Sequence, residues 1–499
     1  MRFDPRTKIG EIEYEDTSTP HRGSRFAPSE YRAVSSYLRS YQQDASYTLF
    51  QAIGHGVKMT LDASDTGLGK TWVALDVIRR LDRNFGVICP ASVVSKWRST
   101  ATAPPFEIDP EFVVSYESVK MGKTEWASRV NVNRRGQRRT FFEWNTCDDV
   151  ILVFDEIHVC SGASSINAML LKSAIENPHI LVMGLSATIS DNPLSMRTTG
   201  YGLGLHSYRD WWEWCLKNGC IPGPFGGLVF STGMNEHRPP TRNQERARAR
   251  LNEIHQRIFP SRGTRIRKSE IADQLPENLI MAEAVDLDFK SKLIQSSLRQ
   301  LALDEAADLD KATKKEEEVS SLVTNTRDRQ RTELGKVSIF IDRVLELLEE
   351  GNSVIVFACY TATIEAILEG LREKENESGW VLISGGMTAL RRDFAVKAFQ
   401  SNTARICICQ IDAGAASIDL DDVDGDHPRA VLISPSYSAR QLLQALGRAH
   451  RMSTKSKVMQ WILFGADTVE ERACRLVQHK LNNLSLLNDG DLAGVTKII

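Results

Sequence analysis

The sequence lacks the features that would assign it to several large classes. No apolar run approaches the ~20 residues of a membrane span, and the opening MRFDPRTKIGEIEYEDTS carries acids and no apolar core, so no secretory signal is expected. The nine Cys stand apart, mostly inside apolar runs such as Val87-Ile88-Cys89, with no paired CxxC spacing. That excludes a zinc knuckle and a disulfide scaffold and points to a reducing, intracellular home. The ten His form no HExxH pattern. There is no internal repeat, no Gly/Ser linker and no low-complexity tract. Net charge is almost absent too, with 62 Lys+Arg against 64 Asp+Glu. Any nucleic-acid binding must therefore come from a local basic surface.

What is present is ordinary globular material: 499 residues, 42% hydrophobic and 25% charged, enough for two to four domains. Short Val/Ile-rich runs alternate with helical periodicity, the pattern of buried parallel strands. The expected strands are Val87–Cys89, Phe112–Ser115, Val150–Phe154, Ile180–Leu185, Val354–Ala358, Ile406–Cys409 and Ala430–Ile433. They fall into two sets, separated by a Trp-rich stretch, a basic stretch and an acidic helical pattern over 286–318. The expected layout is an N-terminal extension (1–34), a first α/β lobe (35–200), an insert and helical connection (201–330), a second lobe (331–480) and a tail (481–499).

Between the first strands, Ser64-Asp65-Thr66-Gly67-Leu68-Gly69-Lys70-Thr71 precedes the apolar-periodic helix WVALDVIRRL. A turn of small residues ahead of Gly-Lys-Thr at a helix start is a phosphate cradle. Lys70 would reach the β/γ-phosphates and the Thr71 hydroxyl would hold Mg²⁺; Ser64 stands where the strict pattern has Gly. Downstream, Val150–Phe154 runs into Asp155-Glu156-Ile157-His158, placing two acids at a strand's C-terminal end. Asp155 would be the second Mg²⁺ ligand and Glu156 the group that polarises the attacking water.

From here the chain resembles the superfamily 2 helicases and translocases over residues 35–480. Leu38-Arg39-Ser40-Tyr41-Gln42 resembles the family's adenine-reading segment, with Gln42 at the base. Cys89-Pro90-Ala91 with Trp97, and Ser115-Tyr116-Glu117, resemble strand-end motifs that face nucleic acid. Ser186-Ala187-Thr188 resembles the segment coupling hydrolysis to lobe movement. In the second half, Ser384-Gly385-Gly386 and Asp412–Leu420 look like lobe-two motifs. Gln444-Ala445-Leu446-Gly447-Arg448-Ala449-His450-Arg451 resembles the arginine-finger helix, and helical spacing would put Arg448 and Arg451 on one face. Thr264-Arg265-Ile266-Arg267-Lys268 with Leu275-Pro276, and Gly335-Lys336, resemble the Swi/Snf-like branch. Ala415-Ala416 and Ser434 depart from that branch's Gly and Asp. The resemblance implies two tandem RecA-like lobes, with ATP and Mg²⁺ held between them.

Two basic stretches are candidate nucleic-acid surfaces. Lys120–Arg139 carries Arg134, Arg135, Arg138 and Arg139, followed by Phe141, Phe142 and Trp144; cations neutralise phosphates and aromatics stack on bases. Residues 238–268, including Arg265, Arg267 and Lys268, form the second. Trp211-Trp212-Glu213-Trp214 reads as a packing helix, and Asp419–Asp426 as a solvated acidic loop. His158 and His450 read as relays. The expected partner is double-stranded or branched DNA. A strand-separating DNA or RNA helicase, or a scaffold with a degenerate ATPase, are the alternatives.

Overall fold

The computed structural model describes residues 28–134, 137–162, 165–223, 226–230, 241–312, 317–374, 379–411 and 418–489. All seven expected strands form, most of them one or two residues longer than expected. The first lobe holds β1 (Met59–Asp62), β2 (Phe85–Cys89), β3 (Phe112–Ser115), the antiparallel hairpin β4 (Ala127–Arg134) and β5 (Gln137–Trp144), then β6 (Val150–Asp155) and β7 (Ile180–Leu185). After a small ribbon of β8 (Cys220–Pro222) and β9 (Leu228–Phe230), β10 (Gly263–Thr264) completes a parallel sheet of order β10-β1-β7-β6-β2-β3. The second lobe holds β11 (Asn278–Val285), β12 (Ser353–Ala358), β13 (Trp380–Ile383), β14 (Ile406–Gln410), β15 (Arg429–Ile433) and β16 (Val458–Gly465). They form a second parallel sheet of order β11-β16-β15-β12-β14-β13. These are two parallel-sheet lobes of RecA-like kind, as the sequence resemblance implied.

Two of the strands missed in the sequence have different causes. β1 reads MTLD, too short and too polar to register, yet all four residues are buried. β11 alternates partly buried with exposed residues because it is a sheet edge. The stretch expected to be a separate insert instead serves both lobes, β10 pairing with β1 and β11 with β16. Leu251, Ile254 and Ile258 of the helix Arg242–Ile258 are buried in the first lobe's core. Of the acidic helical pattern over 286–318, an α-helix forms from Gln295 to Ala312, and a second, Glu317–Leu334, begins at its end. The helix Val469–Asn488 runs past the expected tail boundary, and its Leu487 is buried in the first lobe's core.

Apolar burial drives both lobes, at roughly 1.5–3 kcal/mol for each large side chain fully removed from water. The cysteines follow this pattern: none is paired, Cys147 is exposed, Cys359 half-buried and the other seven buried. Trp214 packs into the core as expected, while Trp212 remains 46% exposed. Among the described residues no helix is long and apolar enough to cross a membrane.

Among the described residues of the second lobe, Lys336 and Glu470 form a fully buried ion pair. Lys336 Nζ donates to Ser434 Oγ (2.8 Å), the Leu463 carbonyl (2.9 Å) and Glu470 (2.8 Å). Glu470 also accepts the Gly465 N–H at 2.9 Å. Here Ser434, which departs from the Asp that the sequence resemblance implied, supplies a neutral acceptor. Removing one partner of such a pair strands a buried charge. Glu470→Ala should therefore destabilise the lobe by about 3–5 kcal/mol in urea unfolding, and pairing Lys336→Met with Glu470→Leu should recover most of the loss.

Candidate active site

β1 ends at Asp62 and the helix Lys70–Leu81 begins eight residues later, so the loop between them must turn tightly. Gly67 (φ +82°) and Gly69 (φ +83°) adopt left-handed backbone that side chains disfavour. Lys70 is folded against its own loop, its Nζ donating to the carbonyls of Ser64 (2.7 Å) and Asp65 (3.1 Å). Burial lowers the Lys70 pKa, opposed by Asp62, Glu156, Asp155 and Asp65. Asp62 escaped the sequence reading. It is fully buried under the loop and accepts the Ser64 N–H at 2.9 Å, and burial raises its pKa. Its only sequence signal is an acid closing a short strand just before the cradle.

Thr71 follows Lys70 in the helix's first turn, half-buried. Gln42 is buried; its Oε1 accepts the Arg39 N–H (3.0 Å) and its Nε2 donates to the Leu68 carbonyl (3.0 Å), so the expected base reader is braced by the cradle.

β6 delivers Asp155 at its final residue, and Glu156 follows with φ +52°. The Asp155 carboxylate accepts Trp97 Nε1–H on Oδ2 (2.8 Å) and the Glu156 N–H on Oδ1 (3.0 Å), while Tyr116 donates to its backbone carbonyl (2.9 Å). Trp97 is 2% exposed. It therefore faces the acid and not nucleic acid, correcting the expectation. Burial and the neighbouring Glu156 charge raise the Asp155 pKa. Burial acts the same way on Glu156, but His158, Lys70 and Arg448 outweigh it and hold that carboxyl low. His158 Nδ1 lies 3.1 Å from Glu156 Oε2 and 3.0 Å from Ser186 Oγ, joining the acid pair to Ser186-Ala187-Thr188.

The second lobe closes directly on this loop. Gly447 sits so near Thr66 that a Cβ there would lie 1.9 Å from its Oγ1, and Met452 N–H donates to the Gly67 carbonyl at 3.0 Å. The helix Ala439–Ala449 ends one residue after Arg448, and His450 is extended (φ −109°). Arg451 thus lies beyond the helix, and the shared helical face expected of the two arginines does not exist. They converge by another route: both donate to the Ile418 carbonyl, at 3.3 and 3.4 Å, and Arg451 pairs with Asp419 at 2.9 Å. Burial and Arg451 pull the Arg448 pKa down to about 10, against the pull of Glu156, Asp419 and Asp155.

The acidic run is solvated only in part, at Asp424 and Asp426. Asp421 and Asp422 are fully buried; Asp421 accepts from Ser453 (2.5 Å), and Asp422 from the N–H groups of Gly425 (3.0 Å) and His427 (3.1 Å). Asp419 pairs across the lobes with Lys96. Asp412–Ser417 lie outside the described residues.

The second basic stretch divides: Arg242, Arg246, Arg250 and Arg257 of its helix are exposed, whereas Arg265, Arg267 and Lys268 are half-buried and engaged within the protein. Arg265, 12% exposed at its side chain, is held between Asp65 (2.8 Å) and Asp489 (2.6 Å). Arg267 pairs with Glu270 at 2.9 Å, and Lys268 Nζ donates to the His450 carbonyl at 2.5 Å. Ion pairing commits Arg265, and a hydrogen bond to the His450 carbonyl commits Lys268, to the lobe interface. Arg134, Arg138 and Arg139 lie on the β4–β5 hairpin; Arg135 lies outside the described residues. Separately, a cleft of about 280 Å³ is lined by Pro90, Ser92, Tyr116 and Glu117 of the first lobe and Arg392 of the second.

A glycine cradle with a lysine, two acids at the strand end and two arginines from a second lobe can bind and cleave a polyphosphate. Comparison with known proteins agrees. Residues 35–191 match the family described as type III restriction enzyme, res subunit, and 336–453 match the helicase conserved C-terminal domain. A protein of Acanthamoeba polyphaga mimivirus, provisionally named an ATP-dependent RNA helicase, is 32% identical over 458 residues, covering 87% of this chain and 81% of that protein. The chromodomain-helicase-DNA-binding protein 1-like of Mus musculus is 23% identical over 482 residues, covering 91% of this chain and half of that protein. A chromatin remodeling factor of Schizosaccharomyces pombe is 25% identical over 138 residues, 28% of this chain and 9% of that protein. The chain belongs to the superfamily 2 helicases, in their Swi/Snf-like branch. It is an ATP-hydrolysing enzyme of the nucleic-acid helicase and translocase class.

The Trp97 contact yields a test. Trp97→Phe keeps the ring's packing and removes the N–H that fixes Asp155 Oδ2. Loss of such an orienting donor should cut ATP hydrolysis about 10-fold, in the range seen for groups behind a metal ligand, with little change in the thermal midpoint.

Proposed function

We propose that this chain is an ATP-driven translocase that moves along duplex or branched DNA. The observation that carries the reading is the convergence of Lys70, Asp155 and Glu156 with Arg448 and Arg451 across the two lobes. The residues fit a nucleoside triphosphate with Mg²⁺. Left-handed Gly67 and Gly69 expose backbone N–H groups at the start of the Lys70–Leu81 helix, a favourable anion site. The Thr71 hydroxyl and Asp155 carboxylate are hard oxygen donors suited to Mg²⁺. Bound there, the ion would neutralise phosphate charge.

Lys70 would exchange the Ser64 and Asp65 carbonyls for phosphate oxygens. Glu156, kept ionised, would accept the proton of the attacking water. Arg448 and Arg451 would leave the Ile418 carbonyl for the terminal phosphate, their planar forks stabilising charge that builds in the transition state. Gln42 would contact the adenine edge. Lobe closure and release would then move nucleic acid through the cleft between Tyr116 and Arg392. Backbone contacts of this kind carry little sequence preference. The hairpin residues Arg134, Arg135, Arg138 and Arg139 would add duplex phosphate contacts.

Support for DNA is the match along 91% of the chain to a relative named as DNA-binding. The mimivirus relative's name favours a second reading, an RNA helicase. ATPase rates with duplex DNA, single-stranded DNA, forks and RNA separate the two; stimulation by RNA alone would overturn the DNA reading. Displacement of a triplex strand without unwinding of a fork is the expected translocase signature.

Two substitutions test the chemistry. Glu156→Gln should retain ATP binding and abolish turnover, because an amide cannot take the water's proton. Arg448→Lys keeps the charge but loses the fork, so turnover should fall on the order of 10³-fold with ATP binding little altered. Turnover near the wild-type rate in Arg448→Lys would remove the second lobe from hydrolysis.

A further inference from the structure

The segment leaving the first lobe touches both halves of the active site. Asp65, in the cradle, donates its N–H to the Ile266 carbonyl (2.9 Å) and binds Arg265 through Oδ1 (2.8 Å) and the Lys268 backbone N–H through Oδ2 (2.9 Å). The Lys268 side chain then crosses to the second lobe, where its Nζ donates to the carbonyl of His450 (2.5 Å). The His450 ring is held from the same segment, its Nε2 lying 2.9 Å from the Pro276 carbonyl. His450 is the residue between the helix end and Arg451, so its backbone sets where both arginines emerge.

We infer that Lys268 is a positioning residue for hydrolysis, fixing the spacing between the cradle and the Arg448–Arg451 segment through Asp65 on one side and the His450 carbonyl on the other. The inference rests on the proposal that these arginines reach the phosphates. A purely architectural role fits poorly. Burial lowers the Lys268 pKa to about 8, and like-charge repulsion from Arg451, Lys70 and Arg448 adds to it. Asp65 opposes this. Such a cluster is completed by an anion placed among the cations, which is what the terminal phosphates of ATP would supply. Lys268 therefore draws the two lobes together most strongly when nucleotide is present. An uncharged donor would satisfy the His450 carbonyl without that dependence.

The test is single-turnover ATP hydrolysis by the full-length protein without nucleic acid, so that it does not depend on which polymer activates the enzyme. Lys268→Ala should slow the maximal rate roughly 10-fold while half-saturating ATP changes no more than about 2-fold, a coupling of the size found between linked sites. Lys268→Met, which keeps the stem and loses the charge, should behave the same way and decides the matter if the alanine variant does not fold. Combined with Arg451→Ala, either change should add less than about 2-fold to the loss from Arg451→Ala alone, because residues acting through one another are non-additive. Losses that multiply, or a normal rate in Lys268→Met, would overturn the inference. A normal rate in Arg451→Ala alone would overturn the arginine assignment and this inference together; a slow Arg451→Ala beside multiplicative losses would overturn the Lys268 role alone.

Discussion

Two stretches of backbone approach each other more closely than side chains would allow, and the active site depends on that approach. Thr66-Gly67 of one lobe lies against Gly447 and Arg451-Met452 of the other, joined by the Met452 N–H to the Gly67 carbonyl. Glycine stands at both positions for steric reasons, since a Cβ on Gly447 would overlap Thr66 and one on Gly67 would meet Arg451 at 3.1 Å. This contact brings guanidinium groups within electrostatic range of Asp155 and Glu156. It also makes the nucleotide site a property of the interface and not of either lobe alone. The carboxylates and cations facing each other there are individually costly to bury, and only their mutual compensation keeps them charged.

A second line of contacts leads from the acids outward. Trp97, Tyr116 and the Glu156 N–H hold Asp155, and His158 connects Glu156 to Ser186. Tyr116 and the following Glu117 also line the cleft that reaches Arg392. One aromatic side chain thus touches both the catalytic strand end and the wall of the cleft. That gives a short physical path between the two sites, though a path of packed groups becomes coupling only when the elements it joins have two arrangements.

Much of this was legible in the sequence because the signals were local. The cradle, the acid pair after a Val/Ile run and the arginine segment each declare themselves within a dozen residues, and the buried strands read as uninterrupted apolar runs. What could not be read was side-chain destination. Arg265 and Lys268 looked like free cations because their side-chain partners, Asp65 and Asp489 for Arg265 and the His450 carbonyl for Lys268, lie far away in sequence. Asp421 and Asp422 looked solvated because their donors come from turns that only the fold creates. Arg451 was misplaced for a subtler reason: three-residue spacing implies a shared face only while the helix lasts, and this helix stops at Ala449. Trp97 resembled a nucleic-acid contact by its place after a motif, whereas its indole N–H needed a buried acceptor and found Asp155.

The helix Val469–Asn488 has a consequence for how the chain acquires its structure. Leu487, almost the last described residue, occupies the core of the lobe whose strands begin at Met59, and Asn488 donates to the Ala187 carbonyl (3.2 Å). His255 reaches the Leu487 carbonyl as well. During synthesis the first lobe emerges with a gap in its apolar surface that Leu487 of the helix Val469–Asn488 later fills. Domains of large proteins generally form in order from the N-terminus. Here the first lobe stays unfinished until the helix Val469–Asn488, far downstream of its strands, has been made. Exposed apolar surface in that interval invites self-association or chaperone binding. Maturation of the two lobes is therefore joint, and neither is born independent of the other.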